Sequence, residues 1–498
     1  MRVDVKGKYL IPGMMDLHAH AQSNYKGVTV NLPHFLKIFL AGGVTTIRAM
    51  GSAEDNLVRL KHDVDTGLIA GPNIVIGSFP PFEQAPGFPR VERTVMVNNA
   101  LEARALTRDH IFNGAEWVKF YNYGDREIVS AVVDEAHKHG AKVFGHFTML
   151  GADDAARLGV DSLEHTTSLI QKSLSYDDSI AMTDIGYYRY FVLWNKLDQK
   201  KLDETFKIMI ENKTALIPTL AIQYVGADPN HLTKISGEWF DLYQKDLYAA
   251  YLKDPLRVPT VYNFKAYEEP WKASILAQAR QVAHFVKMGG KVGTGSDLSP
   301  APPLVPGLSI RQELELYVQG GMTPLEALRS ATLVSAEILG WQDRFGSIEI
   351  GKQADIVVLN GNPLADIKAV GNIDSVMQAG RVYRISDLTA ELRKAPCPTT
   401  HQCAPINTGR NFIALTPPYT FAAPIEGAAE TLGLRRPVTR PATTMAFRAP
   451  PGPSSSFTPQ SRAMNPCAIA SASLSLRSCK HTFTSMRPSR FTLRRAAS

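Results

Sequence analysis

The chain has no cysteine before Cys397; its four cysteines, Cys397, Cys403, Cys467 and Cys479, all lie toward the C-terminal end of 498 residues. The preceding 396 residues therefore hold no disulfide, no thiolate metal site and no cysteine nucleophile. Long apolar runs are missing as well. No stretch approaches the roughly 20 residues that cross a bilayer, and "RVDVKGKYL" after Met1 lacks the apolar core of a signal peptide. As read, the chain is expected in the cytoplasm, with no membrane contact. Excess positive charge is also scarce where a core domain would carry it. The formal charge is +7, but residues 401–498 hold 12 Lys+Arg against 2 Asp+Glu, which leaves residues 1–400 slightly acidic. The arginines of that last segment are not clustered and lack interleaved aromatics, so nucleic acid is not expected as a partner.

What is present is a regular alternation. From Tyr9 to about Gly340, short β-branched runs alternate with amphipathic segments, the pattern of a parallel sheet with helical crossovers. Eight strands are expected: "YLIPGMMDLH" (9–18), "GVTTIRAM" (43–50), "NIVIGSF" (73–79), "EWVKFYN" (116–122), "AKVFGHF" (141–147), "VDSLEH" (160–165), "TALIPTL" (214–220) and "KVGTGSD" (291–297). Eight parallel strands with intervening helices predict an α/β chain whose residues 9–340 form a (β/α)8 TIM-type barrel. The segment "REIVSAVVDEAHKHG" places Ile128, Val132, Val133 and Ala136 on one helical face and stops at Gly140. The segment "MTPLEALRSATLVSAEILG" opens on a Thr323, Pro324, Glu326 capping arrangement. Insertions at about 166–205 and 221–272 follow strands on the side where barrel sites form, and are expected to be lids or specificity loops. Beyond the barrel, "GSIEIGKQADIVVLNGNPLADI" and "VMQAGRVYRI" predict a small β appendage within residues 341–390, to which residues 1–8 contribute a remnant. Residues 391–498 are rich in Pro, Ser, Thr, Ala and Arg without apolar periodicity, and are expected to be a disordered basic tail.

Polar residues stand where these strands should be apolar. His18 and His20 are two apart on the first strand, so both can face the barrel interior. His146 ends the fifth strand, His165 the sixth and Asp297 the eighth, all at the rim where catalytic residues of barrels collect. Imidazole and carboxylate are ligands for Zn2+ and, less selectively, Mn2+ or Co2+. His137 and His139 near a helix C-terminus, and His284 off the stripe of Ile275, Ala279, Val282 and Val286, read as surface groups. Lys119 is a long cation among Trp117, Val118 and Phe120; either it snorkels or pairs with an acid such as Glu116, or it serves as a ligand. Burial beside metal depresses a lysine's pKa, and a neutral amine can capture carbon dioxide as a carbamate with two oxygens. Tyr121, Thr166, Thr219 and Tyr224 follow ligand strands closely and are candidate substrate contacts. Arg48, ending the second strand, could meet a substrate carboxylate or pair with a nearby acid.

The ordered set "PGMMDLHAH", Lys119, His146, His165 and Asp297 resembles the amidohydrolase superfamily in its binuclear, carboxylated-lysine form. So do "AGGVTTIRAMG", "GLSIRQELELYVQGGMTPLEALRSATLVSAEILG" and "GSIEIGKQADIVVLNGNPLADI". Over about residues 5–385 the likeness is to the imidazolonepropionase-related branch, which includes Xaa-Pro dipeptidase-like and ochratoxinase-like enzymes. The resemblance implies two divalent ions, Zn2+ first and Mn2+ or Co2+ next, with His18, His20 and Asp297 on one, His146 and His165 on the other, and a carbamate on Lys119 bridging them. It further implies hydrolysis of a carbon–nitrogen bond by a metal-bridging hydroxide, with Asp297 carrying the proton, in a homo-oligomer acting on a small amide or peptide. Within the fold a mononuclear deaminase is the main rival, but its glutamate after the fifth-strand histidine is replaced here by "FTML". A lactonase or esterase, or a scaffold that has lost its chemistry, are the other readings. The aromatic insertion at 221–272 favours an N-acyl amino acid, a dipeptide or an aromatic amide. In this family a small β domain normally precedes the H-x-H, so a start upstream is expected, which would leave room for a periplasmic or secreted location.

Overall fold

Seven apolar segments pair side by side in the order in which they occur, each parallel to the last. In the computed structural model they are β2 (Met14–His20), β3 (Val44–Met50), β4 (Asn73–Gly77), β5 (Trp117–Asn122), β6 (Lys142–Phe147), β7 (Ser162–Glu164) and β8 (Ala215–Ile217). The structure describes residues 3–394 apart from 26, 51–56, 79–81, 84–94, 123, 148–149, 176, 179–188, 301–303 and, Trp239, Leu242 and Leu247 excepted, 228–267. Most of the second insertion, residues 176 and 179–188 of the first, and all of the tail past 394 thus lie outside the described residues. The expected eighth strand closes the ring as an extended segment. Its backbone bonds β8 on one side, Leu216 N to the Lys291 carbonyl at 2.9 Å, and β2 on the other, Asp297 N to the His18 carbonyl at 2.7 Å. The barrel is therefore as expected.

Alternation along the strands sorts side chains into two cores. Outward residues such as Ile47, Ile74, Val118, Val143 and Leu163 pack under the helices, and inward residues such as Met15, Val75, Trp117, Phe144, Ala215 and Ile217 fill the barrel. Ile338, Leu339 and Phe345 join the inner set. Lys142, first residue of its strand, donates to the Ile338 carbonyl at 2.5 Å, so this plug sits at the end of the barrel opposite the strand C-termini. Each fully buried aliphatic side chain contributes about 1.5–3 kcal/mol.

The second sheet is antiparallel, with β1 (Tyr9–Pro12) beside β9 (Ile356–Leu359), then β10 (Ile373–Gln378) and β11 (Arg381–Arg384). The run 9–18, expected as one barrel strand, is thus two. Tyr9–Pro12 pairs with the appendage, with Tyr9 opposite Leu359, and only Met14 onward enters the barrel. The break falls at Gly13, where an added Cβ would lie 2.0 Å from Thr45 Oγ1. The segment 322–340 is likewise two helices, Pro324–Ala331 and Leu333–Leu339, divided at Thr332, whose φ and ψ of −128° and −95° are not helical. Its capping box forms as expected, Thr323 and Glu326 bonding each other's backbone. The helix Arg126–Lys138 buries Ile128, Val132, Val133 and Ala136, and Gly140 follows at φ +74°. A helix not expected from sequence, Ile385–Lys394, lies against the first helix, Leu32–Ala41, through a Lys37–Glu391 pair at 2.5 Å. None of the described helices is long and apolar enough to cross a membrane.

Candidate metal centre

At the C-terminal end of the barrel strands the inward side chains become polar. In β5 and β6 this follows from parity: Lys119 pairs in register with Phe144 and Tyr121 with His146, so Lys119, Tyr121 and His146 share the inner face with the plug beneath. In β2 parity is broken. The register slips between Asp16 and Ala19, so that Leu17 joins the inner plug while His18, its neighbour, stands in the polar layer. Bulges of this kind re-aim side chains beside active sites.

Three further residues reach the centre through left-handed backbone. His165, Thr219 and Asp297 have φ of +60°, +49° and +56°, and the described chain has only two other non-glycine residues in that region, Lys213 and Ala379. Such conformations cost of order 1–3 kcal/mol each and persist where surrounding structure enforces them. At His165 the consequence is direct. Glu164 faces inward opposite Ile217, so a regular strand would turn His165 outward; the positive φ returns it to the centre.

Asp297 is the hub. Its Oδ1 lies 3.2 Å from His18 Nε2 and 3.1 Å from His20 Nε2, and its Oδ2 lies 3.8 Å from His165 Nε2. One donor atom from each of His18, His165 and Asp297 falls within a mutual 4.8 Å, close enough for cations held among them. His146 packs against His165 with ring centroids 4.8 Å apart, and the edge of Tyr121 meets His146 at 4.5 Å. Burial opposes charge on these imidazoles. It lowers His165 to about 3, aided by His18 and Lys119, and holds His146 well below its usual value and His20 below it. Neutral imidazole is the form that binds metal. Burial alone would raise the Asp297 carboxyl, but the surrounding histidines outweigh it and hold it well below the carboxylate range.

The Lys119 ammonium is buried, and its Nζ has no hydrogen-bond partner among the described residues; the ring of Phe144 lies 5.0 Å away. Burial lowers it to about 8, against the opposing pull of Glu164 and Asp297. An orphaned amine beside neutral imidazoles and a carboxylate fits a centre completed by cations. His18, His165 and Asp297 offer nitrogen and oxygen donors of the kind such ions take.

Beneath this layer lies a residue that sequence reasoning passed over. Glu164 is fully buried and accepts from Arg48 Nη2 at 2.7 Å and Ser162 Oγ at 2.8 Å, while its other oxygen pairs closely with His18 Nδ1. Its only signal was an acid inside the short strand "SLEH". Of the two readings of Arg48, the structure carries the pairing with a nearby acid: it is wholly enclosed against Glu164, donates also to the Leu17 carbonyl at 2.7 Å, and lies 4.6 Å and 4.1 Å from the rings of Trp117 and Phe144. Thr219 is buried with its hydroxyl 2.5 Å from His165 Nδ1, and so supports a histidine rather than lining the mouth. Thr166 is also buried, bonded to Gln278 at 2.5 Å. Tyr121 and Tyr224 remain partly accessible. Of the surface histidines, His137 pairs with Asp161, His139 with Glu135 and His284 with Asp203, away from the centre.

The amidohydrolase family pattern matches residues 9–383. Ochratoxinase of Aspergillus niger is 32% identical over 125 residues, 24% of this chain and 25% of that protein. Imidazolonepropionase of Pseudomonas fluorescens is 40% identical over 82 residues, 16% of this chain and 20% of that protein. The chain thus aligns with about a quarter or less of the length of these curated relatives. A solved Xaa-Pro dipeptidase with methionine bound in its active site superposes with a TM-score of 0.54 at 22% identity, over 76% of this chain and 87% of that one.

Proposed function

The chain belongs to the amidohydrolase family, and we propose that it is a metal-dependent hydrolase of a small amide: an N-acyl amino acid, a dipeptide or an aromatic amide. The observation that carries this reading is the convergence of His18, His165 and Asp297 donor atoms within 4.8 Å beside the orphaned Lys119 amine. In it, His18, His20 and Asp297 would hold one divalent ion and His146 and His165 the other, with a carbamate on Lys119 as a further ligand; the ions would be Zn2+, or Mn2+ or Co2+. Bound there, such ions supply Lewis acidity toward a carbonyl and a water acidic enough to be a nucleophile near neutral pH. Asp297 is suited to moving the proton, because its carboxylate is about a quarter exposed and within reach of His18 and His20. It accepts the proton as the carbonyl is attacked and returns it to the leaving nitrogen. Tyr121 and Tyr224, at the partly accessible edge, are the proposed substrate contacts, and the substrate class follows the branch in which an ochratoxinase and a dipeptidase recur.

The test is metal content followed by a substrate screen. Purified protein is expected to carry close to two divalent ions per chain, to lose activity on chelation and regain it with Zn2+, Mn2+ or Co2+. On N-acyl amino acids, Xaa-Pro dipeptides and aromatic amides, His146→Ala and Asp297→Asn should fall at least a thousandfold in kcat/KM. Full turnover by metal-free protein would overturn the reading, and cleavage of lactones alone would replace the amide with an ester.

A further inference from the structure

Glu164 stands at a junction that the ligand set does not explain. It is next in the chain to His165, and its carboxylate pairs with the ring of His18, 146 residues away in sequence. Arg48 closes the arrangement from below. Its Nε donates to the Leu17 carbonyl, one residue before His18, and its Nη2 to Glu164, so the strand and the ring of His18 are gripped by one guanidinium. That guanidinium cannot swing, being fully buried against Trp117 and Phe144. Ser162 braces both partners, at 3.2 Å from Arg48 Nη1 and 2.8 Å from Glu164.

The geometry points to Glu164, held by Arg48, as the positioning residue that keeps His18 in the tautomer and orientation of an Nε2 ligand and, through its bond to the backbone of His165, sets the distance between the two halves of the metal centre. The inference rests on the metal-centre reading above. A carboxylate on the far nitrogen of an imidazole fixes which nitrogen keeps its proton and leaves the other lone pair aimed outward; losing such a partner typically costs 10–100-fold in metal affinity. Here His18 Nδ1 faces Glu164 and Nε2 faces Asp297, so a proton held at the Glu164 end leaves the Nε2 lone pair aimed into the centre.

Because Glu164→Gln alone leaves the Arg48 charge buried and unpaired, it is compared with the double variant Glu164→Gln/Arg48→Met, which removes both charges while keeping an unbranched chain against Trp117 and Phe144. Three readouts are taken on each: thermal midpoint of the metal-free protein, Zn2+ affinity by chelator competition, and the visible spectrum of the Co2+-loaded form. The double variant is expected to fold, to bind at least one Zn2+ 10–100-fold more weakly than the parent, and to show an altered Co2+ spectrum. A folded double variant with parental affinity for both ions and a parental spectrum would overturn the proposal. Failure of the parent protein itself to bind any divalent ion would instead overturn the metal-centre reading on which it stands.

Discussion

Replacing Arg48 with Met separates two roles for this side chain by more than an order of magnitude in stability. At the rim, touching a substrate carboxylate, it would contribute to binding and little to folding. In the structure both Arg48 and Glu164 are completely enclosed, so the single substitution leaves a buried carboxylate with only Ser162 and His18 for partners. Breaking one side of such a pair costs about 3–5 kcal/mol. Replacing both, in Glu164→Gln/Arg48→Met, removes the uncompensated charge and should leave a smaller loss of about 1–3 kcal/mol, mostly the unpaired Leu17 carbonyl. The two substitutions should therefore be coupled by about 2 kcal/mol or more in a double-mutant cycle. Urea unfolding of the metal-free proteins measures this: with an m-value of about 3 kcal/mol per M, the Arg48→Met midpoint should fall by about 1–1.7 M and the double variant should recover part of it. The ratio of kcat/KM for a free-acid substrate to that for its methyl ester should stay unchanged in Arg48→Met. A loss below about 1 kcal/mol, no coupling, or a collapse of that ratio would refute the buried role.

Thr219→Ala removes the hydroxyl beside His165 Nδ1 and should weaken metal binding about tenfold, whereas Thr219→Ser should not; equal affinities in chelator competition would count against the contact. Lys119→Ala should abolish the bridging carbamate and most activity, and millimolar propionate, filling the vacated space with a carboxylate, should restore part of it; no rescue alongside retained metal would argue against a carboxylated lysine. Glu313 is buried and raised to about 8, even though it accepts from Leu220 N at 2.9 Å and Ala221 N at 2.7 Å. A carboxyl whose folded value is raised stabilises the fold while protonated, so its contribution is intact below about pH 4.5 and lost as pH rises through about 8. At about 1.4 kcal/mol for each pH unit between its unfolded and folded values, the parent should lose several kcal/mol relative to Glu313→Gln between pH 5 and 9, and parallel thermal midpoints across that range would refute it.

How much of this was legible in the sequence depends on parity. Lys119, His146 and the inward set around them could be placed because β5 and β6 alternate without interruption. The eight barrel segments could be found because each is a short β-branched run between helical patterns. What escaped depended on a break in that rule, although His18, His165 and Asp297, which also depend on one, stood out as polar residues at strand ends. Glu164 and His165 are neighbours, and neighbours on a strand point apart; nothing in their side chains announces the φ of +60° that brings both inward. Gly13 sits inside a continuous apolar run, so the passage from one sheet to the other left no compositional mark. Arg48 offered two partners, and only burial chose between them. Thr332 interrupts a helix that propensity alone would carry through.

The pairing of β1 with β9, and of β2 with the segment around Asp297, also sets a schedule for the growing chain. Tyr9 must wait for Leu359, and Asp16 for Ser296, 280 residues later. At about 5–20 residues per second, β1 and the edge of β2 that faces the Asp297 segment stand unpaired for on the order of tens of seconds, with His18 and His20 on that strand. Throughout that interval these strands present open hydrogen-bonding edges, and the centre they later complete can first assemble only once the last barrel segment has emerged. Yield of active protein should therefore be governed by what protects the newborn N-terminal strands, and slower synthesis past residue 300 would lengthen the exposure rather than relieve it.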